Sequence, residues 1–315
     1  MSSELLGAID LGTNTARLLI GRVENGTIVR EQVIRRITRL GGGFCRENGI
    51  APEARQRTLS AMREFAEAIS RHGVKHVKAV ATSAVRDAAN GADFCREVRE
   101  STSISLETIS GEQEGRLTLR GVLSGLDSHP DYILVFDIGG GSTEYTLAQG
   151  DEILFTRSLP LGVVRLTEGK VTSDAIEEKV DRELGALIDE MQSTGVLHLA
   201  RKSVLIGTAG TATTLAAISQ GLVDYDYRKI NNHVIPLDEI RSIYARLLPL
   251  SPAERLSRIA GLEQGREDLI VAGTILTMKT MVMFGIPFLK VSDFSLLEGV
   301  LTDLHDTVCL TVKPF

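Results

Sequence analysis

The stretch VFDIGGGSTEYTLA, Val135 to Ala148, decides the reading of this chain because an earlier one, AIDLGTNTARLLI, Ala8 to Ile20, says nearly the same thing. Both run from an apolar strand to an Asp, an apolar residue, a Gly-rich turn, a hydroxyl residue and a second strand. A strand ending in Asp-x-Gly places a carboxylate at the carboxyl edge of a sheet, where α/β proteins bind ligands. Glycines let backbone N–H groups approach a phosphate with no side chain in the way. Thr13, Thr15, Ser142 and Thr143 add hydroxyl donors, and Asp10 and Asp137 can orient a metal ion or a water. Two such turns, from two similar domains, can hold a phosphoryl group from both sides of a cleft. A third turn, IGTAGTATTL (Ile206 to Leu215), follows another strand and opens a helix. Its N–H groups can take a further phosphate or a nucleotide; the bland alternative is a tight strand-to-helix turn.

Working outward, each half opens as a three-strand meander. The first is LLGAIDLG, ARLLIGRVE and TIVREQVIRRITRL, with a turn at Asn25-Gly26. The second is YILVFDIG, STEYTLAQ and EILFTRSL, with Gln149-Gly150 as its middle turn. Alternating helices and strands follow each meander. PEARQRTLSAMREFAEAISRHG places Leu59, Met62, Phe65, Ala66 and Ile69 on one helical face. SAVRDAANGADFCREVRES reads as one helix, and EQEGRLTLRGVLSGL as another after the strand SLETIS. Ser251, Pro252 and Glu254 give the pattern of a capped helix start. GLEQGREDLIVAGTILTMKTMVMFG reads as a long apolar helix, part core and part candidate dimer surface. DSHPD, Asp127 to Asp131, is the expected joint. The division predicted is 1–127 and 128–315, with the final ~15 residues packing back on the first domain. This is a duplicated α/β fold, not a short-period repeat.

Composition narrows the chemistry. The chain has 315 residues, 43% of them hydrophobic, which supports a large core and two domains. A formal net charge of −6 argues against a general nucleic-acid binder. It leaves anionic substrates open, because backbone N–H groups and a metal ion hold phosphate without a basic surface. Cys45, Cys95 and Cys309 are odd in number, scattered and without metal-ligand spacing, as in a cytoplasmic protein with reduced thiols. MSSELLGAID lacks a basic leader segment, and no apolar run approaches the ~18 residues of a membrane span. Cytoplasmic location, without membrane or nucleic-acid partners, is the expectation.

The pattern resembles the ASKHA superfamily, which includes actin and the acetate and sugar kinases. More closely, it resembles the exopolyphosphatase and guanosine pentaphosphate phosphatase family, Ppx/GppA, over nearly the whole chain. AIDLGTNTARLLI and VFDIGGGSTE resemble that family's two phosphate loops, and GTAGTATTLAAI and SDFSLLEGVL its later motifs. ATSAVRDAAN and ISGEQEGRLTLRGV resemble segments that the kinases lack. The resemblance implies two duplicated ribonuclease H-like, actin-like domains with an active-site cleft between them. It implies that Glu114 is the general base activating water, with Asp137, Glu144 and Arg86 completing the catalytic set. Phosphate contacts fall to Asp10, Gly12, Thr13, Asn14 and Thr15, to Gly139, Gly140, Gly141, Ser142 and Thr143, and to Gly207, Thr208, Gly210 and Thr211. Metal binding falls to Asp10, Asp137 and Glu144. The implied ion is Mg²⁺, with Mn²⁺ as the alternative and room for a monovalent cation. The implied assembly is a homodimer.

Three departures stand out. Gly115 follows the catalytic Glu where the family commonly has Ala. Leu297 replaces an Arg in Ser295-Leu296-Leu297-Glu298-Gly299. Long members also carry an HD-like domain and a tail, so this chain reads as a short, two-domain member with a shorter binding track. Hydrolysis of a phosphoanhydride fits the residues, since it needs a base, a divalent ion and donors around the transferred group. Inorganic polyphosphate is the first substrate expected and guanosine pentaphosphate the second. A small-molecule kinase and a non-catalytic polyphosphate- or nucleotide-binding regulator are the readings from other classes.

Overall fold

In the computed structural model, which describes residues 4–43, 49–169 and 172–311, the repeated turn belongs to a repeated sheet. The chain forms two units: one runs to Ser124 and resumes at Ser295, and the other is Gly125–Phe294.

In the first unit, β1 (Leu6–Leu11), β2 (Thr15–Glu24) and β3 (Thr27–Ile37) form the antiparallel meander. Asn25 and Gly26 turn it with φ of 50° and 78°, the left-handed pair that a two-residue hairpin requires. There follow α1 (Pro52–Arg71), β4 (His76–Ala81), α2 (Ser83–Arg86), α3 (Gly91–Thr102), β5 (Leu106–Thr108) and α4 (Gly111–Gly125). The strand order is β3-β2-β1-β4-β5, with β4 parallel to both β1 and β5. Strand alternation buries Ile9, Leu11, Leu18 and Ile20 against Met62 and Phe65 of α1 and Phe94 of α3. Each such side chain contributes about 1.5–3 kcal/mol by leaving water.

In the second unit, β6 (Ile133–Ile138), β7 (Thr143–Gln149) and β8 (Glu152–Leu159) repeat the meander. Next come α5 (Val163–Gly169), α6 (Ser173–Ser193), α7 (Leu197–Ala200), β9 (Val204–Thr208), α8 (Ala209–Ser219) and α9 (Tyr227–Ile230). β10 (Val234–Pro236), α10 (Leu237–Leu247), α11 (Pro252–Arg258), α12 (Ile270–Phe284) and β11 (Phe288–Val291) complete it. The order β10-β11-β9-β6-β7-β8 keeps the first unit's plan and adds β10 at the edge. Phe136, Tyr145 and Phe284 stack with centroid spacings of 6.1 and 6.3 Å at the centre of its core. The chain then returns to the first unit as α13 (Leu296–Thr311), which packs on β1, β2 and β4 opposite α1.

Local readings moved where tertiary contacts intervene. The helix predicted over 83–101 is two, because Asn90 turns aside to bond the Ile50 N–H (2.9 Å) and carbonyl (3.1 Å). The long apolar helix begins only at Ile270, since Gly261 and Gly265 take φ of 86° and 84°. The second hairpin turn sits at Gly150-Asp151, one residue later than expected. The capped start at Ser251 is a full capping box with Glu254. Cys95 and Cys309 are free thiols, and Cys45 lies outside the described residues. Among the described residues no helix is long and apolar enough to cross a membrane.

Candidate functional site

The first turn is shaped by what its carbonyls do. Thr13 O accepts from Gly41 N (2.8 Å), and Asn14 O accepts from Thr38 N (3.0 Å) and Arg39 N (2.9 Å). In a trans peptide the N–H points opposite to the preceding C=O, so the Asn14 N–H faces away from residues 38–41. Arg39 takes a left-handed φ of 44° to make this crossing. Thr13 Oγ1 and Ser83 Oγ are hydrogen-bonded at 2.9 Å, which ties the turn to the start of α2. Asp10, 6% exposed, lies opposite Arg17 in the β1–β2 register. Arg17 donates from Nε (3.0 Å) and Nη2 (2.6 Å) to Asp10 Oδ2 alone.

The second turn uses the same device with different parts. Gly139 O accepts from Val163 N (3.0 Å), and Gly140 O accepts from Val164 N (2.9 Å) and Arg165 N (3.3 Å). The N–H groups of Gly140 and Gly141 therefore point away from α5. A Cβ on Gly162 would stand 2.2 Å from Gly141 C, so α5 approaches the turn closely only because glycine stands there. Asp137 lies opposite Glu144 across β6–β7 and beside Thr208 of β9. Glu144, 2% exposed, accepts from Ser158 Oγ at 2.6 Å. Thr143 Oγ1 donates to Leu161 O at 2.8 Å.

Glu114 stands in the first turn of α4 and is 7% exposed. Ser110 and Gln113 fix that turn: Gln113 N donates to Ser110 Oγ (3.1 Å) and Ser110 N to Gln113 Oε1 (2.8 Å). Arg86, at the end of α2, donates from Nη1 to Ile109 O (2.9 Å) and to Glu114 Oε2 (3.3 Å). A buried carboxylate and a guanidinium thus share one corner of the first unit.

The third turn lies in the second unit between β9 and α8. Ala209 holds φ of 60°, a left-handed strain for a residue with a Cβ. The Arg266 guanidinium occupies the space beside Gly210, and Thr208 Oγ1 donates to Ser292 O and Phe294 O, each at 3.0 Å. Gly207 O accepts from Ser292 N (2.9 Å), and Thr211 is buried against Gly273. Tyr225 bonds Asp293 near this turn; burial first, then the charges of Asp293 and Glu263, keep its hydroxyl protonated well above the usual range.

The chain therefore brings Asp10, Gly12 to Thr15, Arg86 and Glu114 into one unit. Asp137, Gly139 to Glu144 and the third turn belong to the other. Among the described residues no three His, Cys, Asp or Glu side chains form a metal cage. A Mg²⁺ site does not need one, because this ion is held by one or two carboxylates with waters and substrate phosphates. Asp10 Oδ1 and Asn14 Oδ1 are buried and accept no hydrogen bond among the described residues, which fits oxygen donors for a hard cation. Arg17 and Ser158, which hold Asp10 and Glu144, escaped the sequence reading. Aligning the two copies on Asp10 and Asp137 sets Arg17 where the second copy has Glu144, and that signal was available.

Residues 19–308 match the Ppx/GppA phosphatase family model. The chain is 34% identical over 321 residues to exopolyphosphatase 2 of Mycobacterium tuberculosis, covering 96% of this chain and 99% of that one. It is 32% identical over 314 residues to the bifunctional 3-dehydroquinate synthase/phosphatase of Fusobacterium nucleatum, covering 95% of this chain. The chain spans only 46% of that relative. An exopolyphosphatase structure from Cytophaga hutchinsonii is similar at TM-score 0.87 and 29% identity, over 96% of this chain and 98% of that one. The Aquifex aeolicus Ppx/GppA family member is similar at TM-score 0.79 and 28% identity, over 99% of both chains. The fold is the two-domain, actin-like one of these structures.

Proposed function

We propose a function from one premise: the chain belongs to the Ppx/GppA phosphatase family. It is an exopolyphosphatase that removes the terminal phosphate of inorganic polyphosphate by hydrolysis. The observation that carries this is a buried Glu114 held by Arg86 in a chain with two carboxylate-bearing glycine turns. A kinase transfers phosphate to a bound acceptor; a carboxylate placed to take a proton from water serves hydrolysis instead.

In this reading both turns bind phosphate oxygens of the substrate through backbone N–H groups. Glu114 takes the proton from the attacking water at a carboxylate oxygen. Arg86 orients Glu114 and directs its other N–H groups to phosphate oxygens, a role suited to a planar fork of donors. The N–H groups of Asn14, Gly140 and Gly141 and the hydroxyls of Thr13, Thr15 and Ser142 are phosphate donors, Thr143 fixes the second turn through its bond to Leu161 O, and the turn at Gly207, Thr208, Gly210 and Thr211 serves a more distant phosphate. Asp10, Asp137 and Glu144 are the carboxylates that would hold Mg²⁺, and the ion would supply charge neutralisation at phosphate oxygens. A homodimer belongs to the same reading, and light scattering that gave the mass of one chain would remove it.

The test is phosphate release from short polyphosphate, long polyphosphate and guanosine pentaphosphate with Mg²⁺. Glu114→Gln is expected to lower kcat on polyphosphate by about 10²–10⁴-fold, the usual contribution of a general base. Release from guanosine pentaphosphate alone would change the substrate and keep the chemistry. Tight binding of polyphosphate with no release would leave a non-catalytic regulator.

A further inference from the structure

We propose that Ser295 is a positioning residue for the Asp10 carboxylate, acting through Arg17; this rests on the reading that Asp10 faces substrate phosphate or its metal ion. The guanidinium of Arg17 is a rigid plane with donors on several edges. Its Nε and Nη2 both converge on Asp10 Oδ2, at 3.0 and 2.6 Å. A carboxylate gripped side-on by Arg commonly gives one oxygen to each donor. Here Oδ1 accepts nothing among the described residues and stays available. A rotation of the guanidinium in its own plane would bring Nη2 to Oδ1 and spend that oxygen.

What resists the rotation is the third donor. Arg17 Nη1 gives its hydrogen bond to Ser295 Oγ at 3.1 Å. Ser295 has no exposed surface and is itself held. Its N–H donates to Glu298 Oε2 at 2.9 Å, its hydroxyl faces the same oxygen at 3.4 Å, and Glu298 Oε1 pairs with Arg30 Nη2 at 2.8 Å. The single Ser295 proton goes to Glu298, which leaves the Oγ lone pairs for Arg17. The Ser295 backbone is fixed as well. A Cβ on Gly121 would lie 1.8 Å from Ser295 O, and one on Gly299 would lie 1.8 Å from Leu117 O. Two glycines therefore set α13 directly against α4, the helix that carries Glu114. One close crossing fixes the base-bearing helix and, through Ser295 and Arg17, the presented oxygen of Asp10.

A double-mutant cycle on the full chain tests this, with Ser295→Ala, Arg17→Lys and the pair. Ser295→Ala is expected to lower kcat on polyphosphate about tenfold with KM within about twofold, the pattern of a misplaced group rather than lost binding. Amide hydrogen exchange in residues 11–16 should quicken at least about threefold while α1 and α3 keep their protection. The double variant should be no slower than Arg17→Lys alone, because Ser295 acts through that side chain. Additive losses would overturn the proposal, as would unchanged kcat and exchange in a folded Ser295→Ala protein. Should wild type release no phosphate, the proposed function fails, and exchange in residues 11–16 of the single and double variants still decides the positioning role.

Discussion

The two glycine turns share one register and differ in one charge. Asp10 faces Arg17, and Asp137 faces Glu144, at matching positions of the two meanders. One strand further on, Arg17 is paired with Arg35 and Glu144 with Ser158. Residues opposite one another in an antiparallel pair have Cβ atoms about 4.5–5.5 Å apart, so each pairing is an electrostatic decision. The first turn joins a carboxylate to a guanidinium and is close to neutral. The second sets two carboxylates side by side, with Glu144 accepting a hydrogen bond from Ser158. A duplicated scaffold thus carries a carboxylate–guanidinium pair at one turn and a pair of carboxylates at the other.

The largest effect should come from reversing that division. Glu144→Gln is expected to lower kcat about 10²-fold and raise the half-saturating Mg²⁺ concentration about tenfold, as loss of a ligand-shell group commonly does. Asp10→Asn should shift the Mg²⁺ requirement less, since Arg17 already balances Asp10. Metal titrations of initial rates that moved equally for both variants would erase the distinction.

A smaller difference concerns how the turns are held. A Cβ on Gly162 would meet backbone, Gly141 C at 2.2 Å, whereas a Cβ on Gly41 would meet the Thr13 methyl at 2.2 Å. Backbone does not rotate away, so Gly162→Ala should cost about 2 kcal/mol in urea unfolding and Gly41→Ala about 1 kcal/mol. Equal costs would mean that the second turn is softer than its contacts imply. The smallest effect extends the comparison to the third turn, where Ala209 sits in the left-handed region. Ala209→Gly should stabilise by about 0.5 kcal/mol, the relieved strain less glycine's greater entropy when unfolded. A loss of stability would show that the Ala209 methyl packs to advantage.

Much of this was legible in the sequence because it is local. The Asn25-Gly26 turn, both Asp-bearing meanders and the Ser251-Glu254 box are decided by neighbours along the chain. The remainder depends on distant partners. Asn90 leaves its helix for Ile50, forty positions away, and Ser295 reaches Arg17 across 278. The periodicity of LLEGVLTDLHDTV can announce a helix but not which sheet it covers. The site divides the same way: the carboxylates and glycines are in the motifs, while the groups that orient them are supplied by packing.

The place of α13 has a consequence for synthesis. The second unit is one continuous stretch, complete once Phe294 has been made, whereas the first lacks the helix on one face of its sheet until Ser295 to Thr311 follow. At ~5–20 residues per second, the intervening stretch keeps that face waiting for about 10–30 s. The half that begins first therefore finishes folding last, and Arg17 gains its Ser295 partner only after the whole second unit has been made.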